Sequence, residues 1–214
     1  ALSDTSELIE FSHRSVSGVL LVVTLIIFTK TRKFQKDSLV RTVTNYLTFF
    51  VIFEALIGAV IVIFEWVGLN SSLPRIIAVP IHLVNTFGLL GSYAILYKIL
   101  QDDLENIKTM FNKKFIFISF LFLLSGATGS ITALADVLFP SASFIEGFLA
   151  DFDRTSEVLT RLRILHPIIS SILSIVLYVY ATEISKKYSV SVKSLQILIF
   201  IGVFLGVLNV LYNI

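Results

Sequence analysis

Six long apolar stretches, separated by short polar segments, make up most of this chain. They cover about residues 8–29, 43–66, 76–99, 115–135, 157–182 and 194–213 and consist mainly of Leu, Ile, Val, Phe and Ala. A helix needs about 20 apolar residues to cross the hydrocarbon core of a bilayer. The pattern therefore predicts an all-α fold, a polytopic bundle of six membrane-spanning helices.

Composition supports the same class. Of the 214 residues, 56% are hydrophobic and 15% are charged, whereas soluble domains carry about 25% charged residues. This excludes a soluble enzyme, a nucleic-acid-binding protein and a disordered chain, and it makes membrane lipid the first expected partner. The chain has no cysteine, which excludes disulfides, iron–sulfur clusters and thiolate-bound metals.

Charge in the connecting segments predicts the orientation in the membrane. Basic residues are concentrated in alternate loops, whereas the long fourth loop is acidic. The basic positions are Lys30, Arg32, Lys33, Lys36, Arg41, Lys98, Lys108, Lys113, Lys114, Lys186, Lys187 and Lys193. By the positive-inside rule these loops face the cytoplasm, so the fourth loop faces outward.

The fourth loop, about residues 136–156, contains apolar residues at helical spacing. These are Phe139, Phe144, Ile145, Phe148 and Leu149. The spacing predicts a short amphipathic helix, which would lie at the membrane interface or cover a site from outside.

The three histidines are predicted to lie at one depth in the membrane. His13 and His82 are near the starts of the first and third spans, and His166 is in the first third of the fifth. These spans all run inward, so the imidazoles share the outer half of the membrane. Neutral imidazole binds iron, and two histidines on different helices can hold a heme from both faces. For any one histidine, a hydrogen-bonded structural role is the alternative.

Glu10 lies three residues before His13, on the same helix face. It is either a functional acid or an interfacial acid favoured by the helix dipole. Arg14 can pair with Glu10 or bind a heme propionate.

Four further positions carry a charge or are expected to break a helix. Arg161 and Arg163, before His166, are either propionate ligands or interfacial anchors. Glu54, near the middle of the second span, is either part of a proton path or a structural polar contact. Pro167 is expected to kink the fifth span and is counted as the only proline within a span.

Five segments together resemble the heme A synthase family over the whole chain. They are Glu10-Phe-Ser-His13-Arg14, Ile81-His82-Leu83, Thr132 to Pro140, Arg161-Leu-Arg163-Ile-Leu-His166-Pro167 and Gly206-Val-Leu-Asn209-Val. The first is similar to the family's Glu-x-x-His-Arg motif, and the others follow in the family's order.

The resemblance implies a function and a set of site residues. The family oxidises a methyl group of heme O to the formyl group of heme A, for cytochrome oxidase assembly. His13 and His82 would line the substrate-heme site and Glu10 would be the catalytic acid. His166 would ligate a heme b cofactor, with Arg14 and Arg163 available to the propionates. Heme O synthase, cytochrome oxidase and a second copy of the chain are the implied partners.

The resemblance also implies an eight-helix architecture of two similar halves. The six spans would be the second to seventh helices, with the halves at residues 1–110 and 111–214. The first and last helices, the latter carrying a fourth heme-ligating histidine, would then lie outside this chain, which does not begin with methionine. The alternative is a reduced relative of the family with an incomplete second heme site.

Two other functions are compatible with the sequence. The first alternative is a bis-histidine cytochrome b that only transfers electrons, although such a protein needs no acid beside a ligand. The second is a heme-free transporter, which paired broken helices would indicate.

Overall fold

The computed structural model describes residues 2–101 and 112–212. These residues form α1 (Leu2–Thr31), α2 (Leu39–Ile63), α3 (Leu73–Leu100), α4 (Lys113–Leu138), α5 (Phe144–Phe152), α6 (Val158–Leu162), α7 (Leu165–Tyr188) and α8 (Lys193–Tyr212). No strand occurs within these two ranges, so the predicted all-α class is confirmed. Lys108, one of the residues behind the orientation prediction, lies outside them.

The prediction of six spans is also confirmed. Within the described residues, six helical segments are long and apolar enough to cross a membrane. One of them, Val158–Tyr188, combines α6 and α7. The second span was predicted to reach residue 66 but ends at Ile63. Glu65 takes a left-handed backbone conformation with φ of 54°, and the Trp66 amide donates to the Ile61 carbonyl at 2.8 Å.

The chain forms two compact units. The first contains residues 1–67 and 84–111, and the second contains residues 68–83 and 112–214. The first residues of α3, including His82, therefore belong to the second unit. The division into similar halves at residues 1–110 and 111–214 remains a prediction.

A core of aliphatic side chains holds the first unit together. Leu47 and Val51 of α2 pack with Leu89 and Leu96 of α3, and the Leu47 side chain is completely buried. At the side of this core, the Thr24 and Tyr93 hydroxyls of α1 and α3 lie 2.6 Å apart. Helical spacing places these residues on facing sides of their helices, which explains why the helices pack there.

In the second unit, α4 packs against α7. Ile118 and Leu121 contact Leu173 in a small buried cluster. Many other aliphatic and aromatic side chains on these helices, including Phe117 and Ile175, are exposed. Exposed apolar surface is what a helix facing lipid requires, because lipid tails are as apolar as leucine.

The fifth span is interrupted, as Pro167 predicts, although the break precedes the proline. Helix α6 ends at Leu162 and α7 begins at Leu165, so Pro167 occupies the first turn of α7. Proline has no amide hydrogen to give to the carbonyl four residues earlier, that of Arg163. The Thr132 hydroxyl donates to this carbonyl at 3.3 Å.

The prediction that Pro167 is the only proline within a span was wrong. Pro80 lies inside α3, which is continuous across it. A proline therefore does not by itself break a span of this protein, because neighbouring groups can bond the freed backbone.

Candidate functional site

The first candidate group lies on one face of α1. Glu10 and Arg14 form an ion pair one helical turn apart, and their side chains are 55% and 53% exposed. His13 lies between them in sequence and is also exposed. Residues three and four positions apart share a helix face. The structure thus places an acid, an imidazole and a guanidinium on one exposed helix face of the first unit.

His82 lies in the part of α3 that belongs to the second unit. Its side chain is half-buried, and its Nδ1 atom is shielded from solvent. Because His13 belongs to the first unit, a joint His13–His82 site remains a prediction.

The best-defined histidine is His166, in the first turn of α7. Its Nδ1 lies 3.1 Å from the carbonyl oxygen of Ser125 on α4. A carbonyl only accepts hydrogen bonds, so the neutral ring carries its proton on Nδ1. The lone pair is then on Nε2, which is the arrangement typical of a histidine that ligates a metal.

Gly129 on α4 makes room for this ring. A methyl group added there would lie 2.9 Å from Cε1 and 3.1 Å from Nδ1 of His166. The first distance is shorter than real Cβ contacts and the second is unusually tight, so the imidazole occupies the space that a side chain at residue 129 would fill. The sequence analysis did not identify Ser125 or Gly129, since both are ordinary residues of an apolar helix.

We expect Gly129→Ala to displace His166, because the ring has to move away from the new methyl group. Overpacking of this kind costs about 1–3 kcal/mol. The thermal unfolding midpoint should fall, whereas Gly91→Ala, at a position with nothing within 4 Å, should leave it unchanged or raise it slightly, because alanine is the better helix former. Equal midpoints for the two variants would contradict the close contact.

Arg163 lies at the junction of α6 and α7 and is almost fully buried. Its Nε and Nη2 atoms both lie 2.9 Å from Oδ1 of Asp151, and Nη1 lies 2.9 Å from Oδ1 of Asp136. Nη2 also donates to the carbonyl of Gly147 at 3.3 Å. The guanidinium therefore ties α4 and α5 to the start of α7, through partners that the sequence analysis did not foresee.

The two carboxylates of this network affect each other. Burial raises the pKa of the Asp151 carboxyl, although the charge and hydrogen bond of Arg163 oppose this, and the charge of Asp136 raises it further. Arg163 thus compensates two acids that would otherwise be unfavourable here. The guanidinium is already bound to two carboxylates and one carbonyl, so a propionate contact at Arg163 remains a prediction.

Glu54 takes part in a polar contact inside the first unit. The amide nitrogen of Asn85 lies 2.5 Å from its Oε2 and 2.9 Å from the carbonyl of Phe50, and the Thr86 hydroxyl bonds to Oε1. Glu54 therefore links α2 to α3, as the structural alternative in the sequence analysis expects. A proton-path role remains a prediction.

No group of three or more His, Cys, Asp or Glu residues within the described ranges is arranged to hold a metal ion.

Comparison with known protein families, sequences and structures gives three further findings. The sequence model of the COX15-CtaA family, described as cytochrome oxidase assembly protein, matches residues 3–214. Proteins named protoheme IX farnesyltransferase from two strains of Thermus thermophilus are each 34% identical over 182 residues. These residues cover 80% of this chain but only 29% of the relatives, so the chain spans less than a third of their length. No solved structure matches the chain.

Proposed function

Because this chain belongs to the COX15-CtaA family of cytochrome oxidase assembly proteins, we propose that it acts as a heme A synthase. In that reaction a methyl group of heme O becomes the formyl group of heme A. The relatives support a heme substrate, since their name describes farnesyl transfer to protoheme IX. Farnesyl transfer is the class of reaction that yields a heme with an isoprenoid tail. Heme O synthase and cytochrome oxidase are accordingly proposed partners.

The observation that carries the proposal is the environment of His166. Its Nδ1 faces the Ser125 carbonyl, which leaves the Nε2 lone pair for iron, and the missing side chain at Gly129 lets the ring pack directly against α4. These residues fit a heme, and His166 is the proposed ligand of a resident heme b. When bound, heme b supplies a redox centre that accepts electrons from the substrate. Ser125 fixes the tautomer and orientation of the ligand.

The proposed substrate side of the site consists of Glu10, His13 and Arg14 together with His82. Conversion of a methyl to a formyl group adds an oxygen atom, which water can supply, and removes protons together with electrons. The Glu10 carboxylate is a base that can accept one of these protons. Arg14 holds this carboxylate in place and can turn to a propionate when heme is present. Histidines at 13 and 82 would hold the substrate iron.

The orientation is proposed from the loop charges. The lysine-rich loops would face the cytoplasm of a cell membrane, so the three histidines would lie toward the outer side. Association of two copies of the chain is a further proposal.

The decisive experiment is extraction of pigment from the purified protein. Heme O or heme A together with heme b is the expected result. Heme b alone would favour the electron-transfer cytochrome, and a sample without Soret absorption would exclude both.

The histidine variants separate the two proposed heme sites. His13→Ala and His82→Ala should abolish heme A formation while heme b remains, because they affect the substrate side. His166→Ala should instead lose heme b, as measured by the pyridine hemochrome spectrum. Loss of both pigments in all three variants, with unchanged helical content, would contradict two separate sites.

A further inference from the structure

Helix α5 contacts α6 and α8, yet it carries a broad apolar face that is largely exposed. Phe144, Phe148 and Phe152 follow each other at four-residue spacing, with ring centroids 6.1 and 5.1 Å apart. Ile145 and Leu149 lie beside them. These five side chains are 45–69% exposed, which is a large apolar surface for a helix of nine residues.

The orientation of α5 about its own axis is set by polar contacts. At its start, the Ser143 hydroxyl accepts from the Glu146 amide, and Glu146 accepts from the Ala142 amide, as in a capping box. Farther along, Arg163 holds Asp151 and the Gly147 carbonyl. The side of α5 that bears Gly147 and Asp151 is therefore held against the rest of the second unit.

These contacts divide α5 into three faces. Successive residues of an α-helix are rotated by about 100°. The centre of the apolar face thus lies about a third of a turn from the face held by Arg163, and Glu146 lies about another third of a turn away. Glu146 is exposed. One face contacts protein, one is apolar, and one carries an acid.

Short connections keep α5 close to the ends of two spans. Residues 139–143 join it to α4, and residues 153–157 join it to α6. The ends of spans lie at the boundary between headgroups and acyl chains. A helix held there has lipid on one side and water on the other, which matches its apolar and acidic faces.

We propose that α5 lies in the plane of the membrane boundary, with its five apolar side chains inserted among the lipids. The partner of this surface is the bilayer itself. Helix α5 contains no lysine or arginine. Its insertion therefore depends on apolar area and is independent of anionic lipid headgroups. This inference does not rest on the heme chemistry.

Tryptophan fluorescence tests this position, since Trp66 is the only tryptophan of the chain. In a Trp66→Phe background, Phe148→Trp introduces an indole on the apolar face and Glu146→Trp introduces one on the acidic face. The full chain is reconstituted in phosphatidylcholine vesicles with bromine on the acyl chains, either near the headgroup or near the chain end.

For Phe148→Trp we expect blue-shifted emission, strong quenching by bromine near the headgroup, weaker quenching by bromine near the chain end, and little quenching by aqueous iodide. For Glu146→Trp we expect strong iodide quenching and little quenching by lipid bromine. Adding phosphatidylglycerol should not change the bromine quenching of Phe148→Trp.

Two results would overturn the proposal. Equal iodide quenching of the two variants would place the apolar face in water. An indole in Phe148→Trp that neither iodide nor bromine reaches would mean that protein covers this face, such as a second copy or a partner. Unchanged circular dichroism establishes that a variant is folded, and Leu149→Trp replaces Phe148→Trp if that variant is not.

Discussion

Replacing Glu10 with glutamine should leave heme bound but reduce heme A formation by about 100- to 10,000-fold, the usual contribution of a general acid or base. Glutamine keeps the shape of the side chain and still accepts a hydrogen bond from Arg14. It cannot accept a proton from the methyl group that is oxidised. The amounts of heme O and heme A extracted from the purified variant measure the effect.

Glu146→Gln is the matched control for this variant. Glu146 is also an exposed acid, and glutamine can preserve its contact with the Ala142 amide. Heme A formation in this control should equal that of the unchanged chain. Normal heme A output from Glu10→Gln would remove Glu10 from the chemistry, and loss of bound heme would make it a binding residue instead.

Replacing Arg163 with methionine should destabilise the protein by about 3–5 kcal/mol, the usual cost of removing one partner of a buried ion pair. We expect a loss of stability at the lower end of this range, because the Asp136 side chain is 32% exposed and water can partly solvate it. The variant leaves the carboxylates of Asp136 and Asp151 without the guanidinium that binds both. The thermal unfolding midpoint in detergent measures the loss.

Acid should partly rescue this variant. Burial already raises the pKa of Asp151 above that of the unfolded chain, so its contribution to stability is largest at low pH and falls as pH rises through the folded value. Removing the Arg163 charge should raise this pKa further. The difference in midpoint between variant and unchanged chain should therefore shrink as the pH is lowered.

The neighbouring Arg161 supplies the control. It is exposed, so Arg161→Met should change the midpoint little at any pH. A stability loss in Arg163→Met that does not depend on pH would mean that the arginine acts through packing alone.

The spans could be predicted from the sequence because membrane insertion depends on local composition. A stretch of about 20 apolar residues has to form a helix in a bilayer, whatever its neighbours, since its backbone groups have no water to bond. This is why the number of spans was right. The resemblance to the family rests instead on short motifs between Glu10 and Asn209. The end of α2 was missed because Phe64 and Trp66 continue the apolar pattern, although the backbone leaves the helix at Glu65.

Arg163 illustrates what local pattern does not contain. Its position before His166 suggested a propionate ligand, yet Asp136 and Asp151, 27 and 12 residues away, bind most of its donors. Their charges were visible as an acidic loop, but no spacing rule connects them to one guanidinium. Only the packing of α4 and α5 around the start of α7 brings them together.

Composition and short motifs were enough to indicate the membrane class, the six spans and the family. The packing of α4 against α7 places the Ser125 carbonyl at Nδ1 of His166, which sets the nitrogen that carries the proton of the neutral ring. It also brings the ring so close to residue 129 that only glycine fits there. The tertiary structure also decided that Glu54 bonds Asn85 and Thr86. The physical reason is that hydrophobicity acts over each helix separately, whereas a hydrogen bond or a close contact depends on how two helices pack.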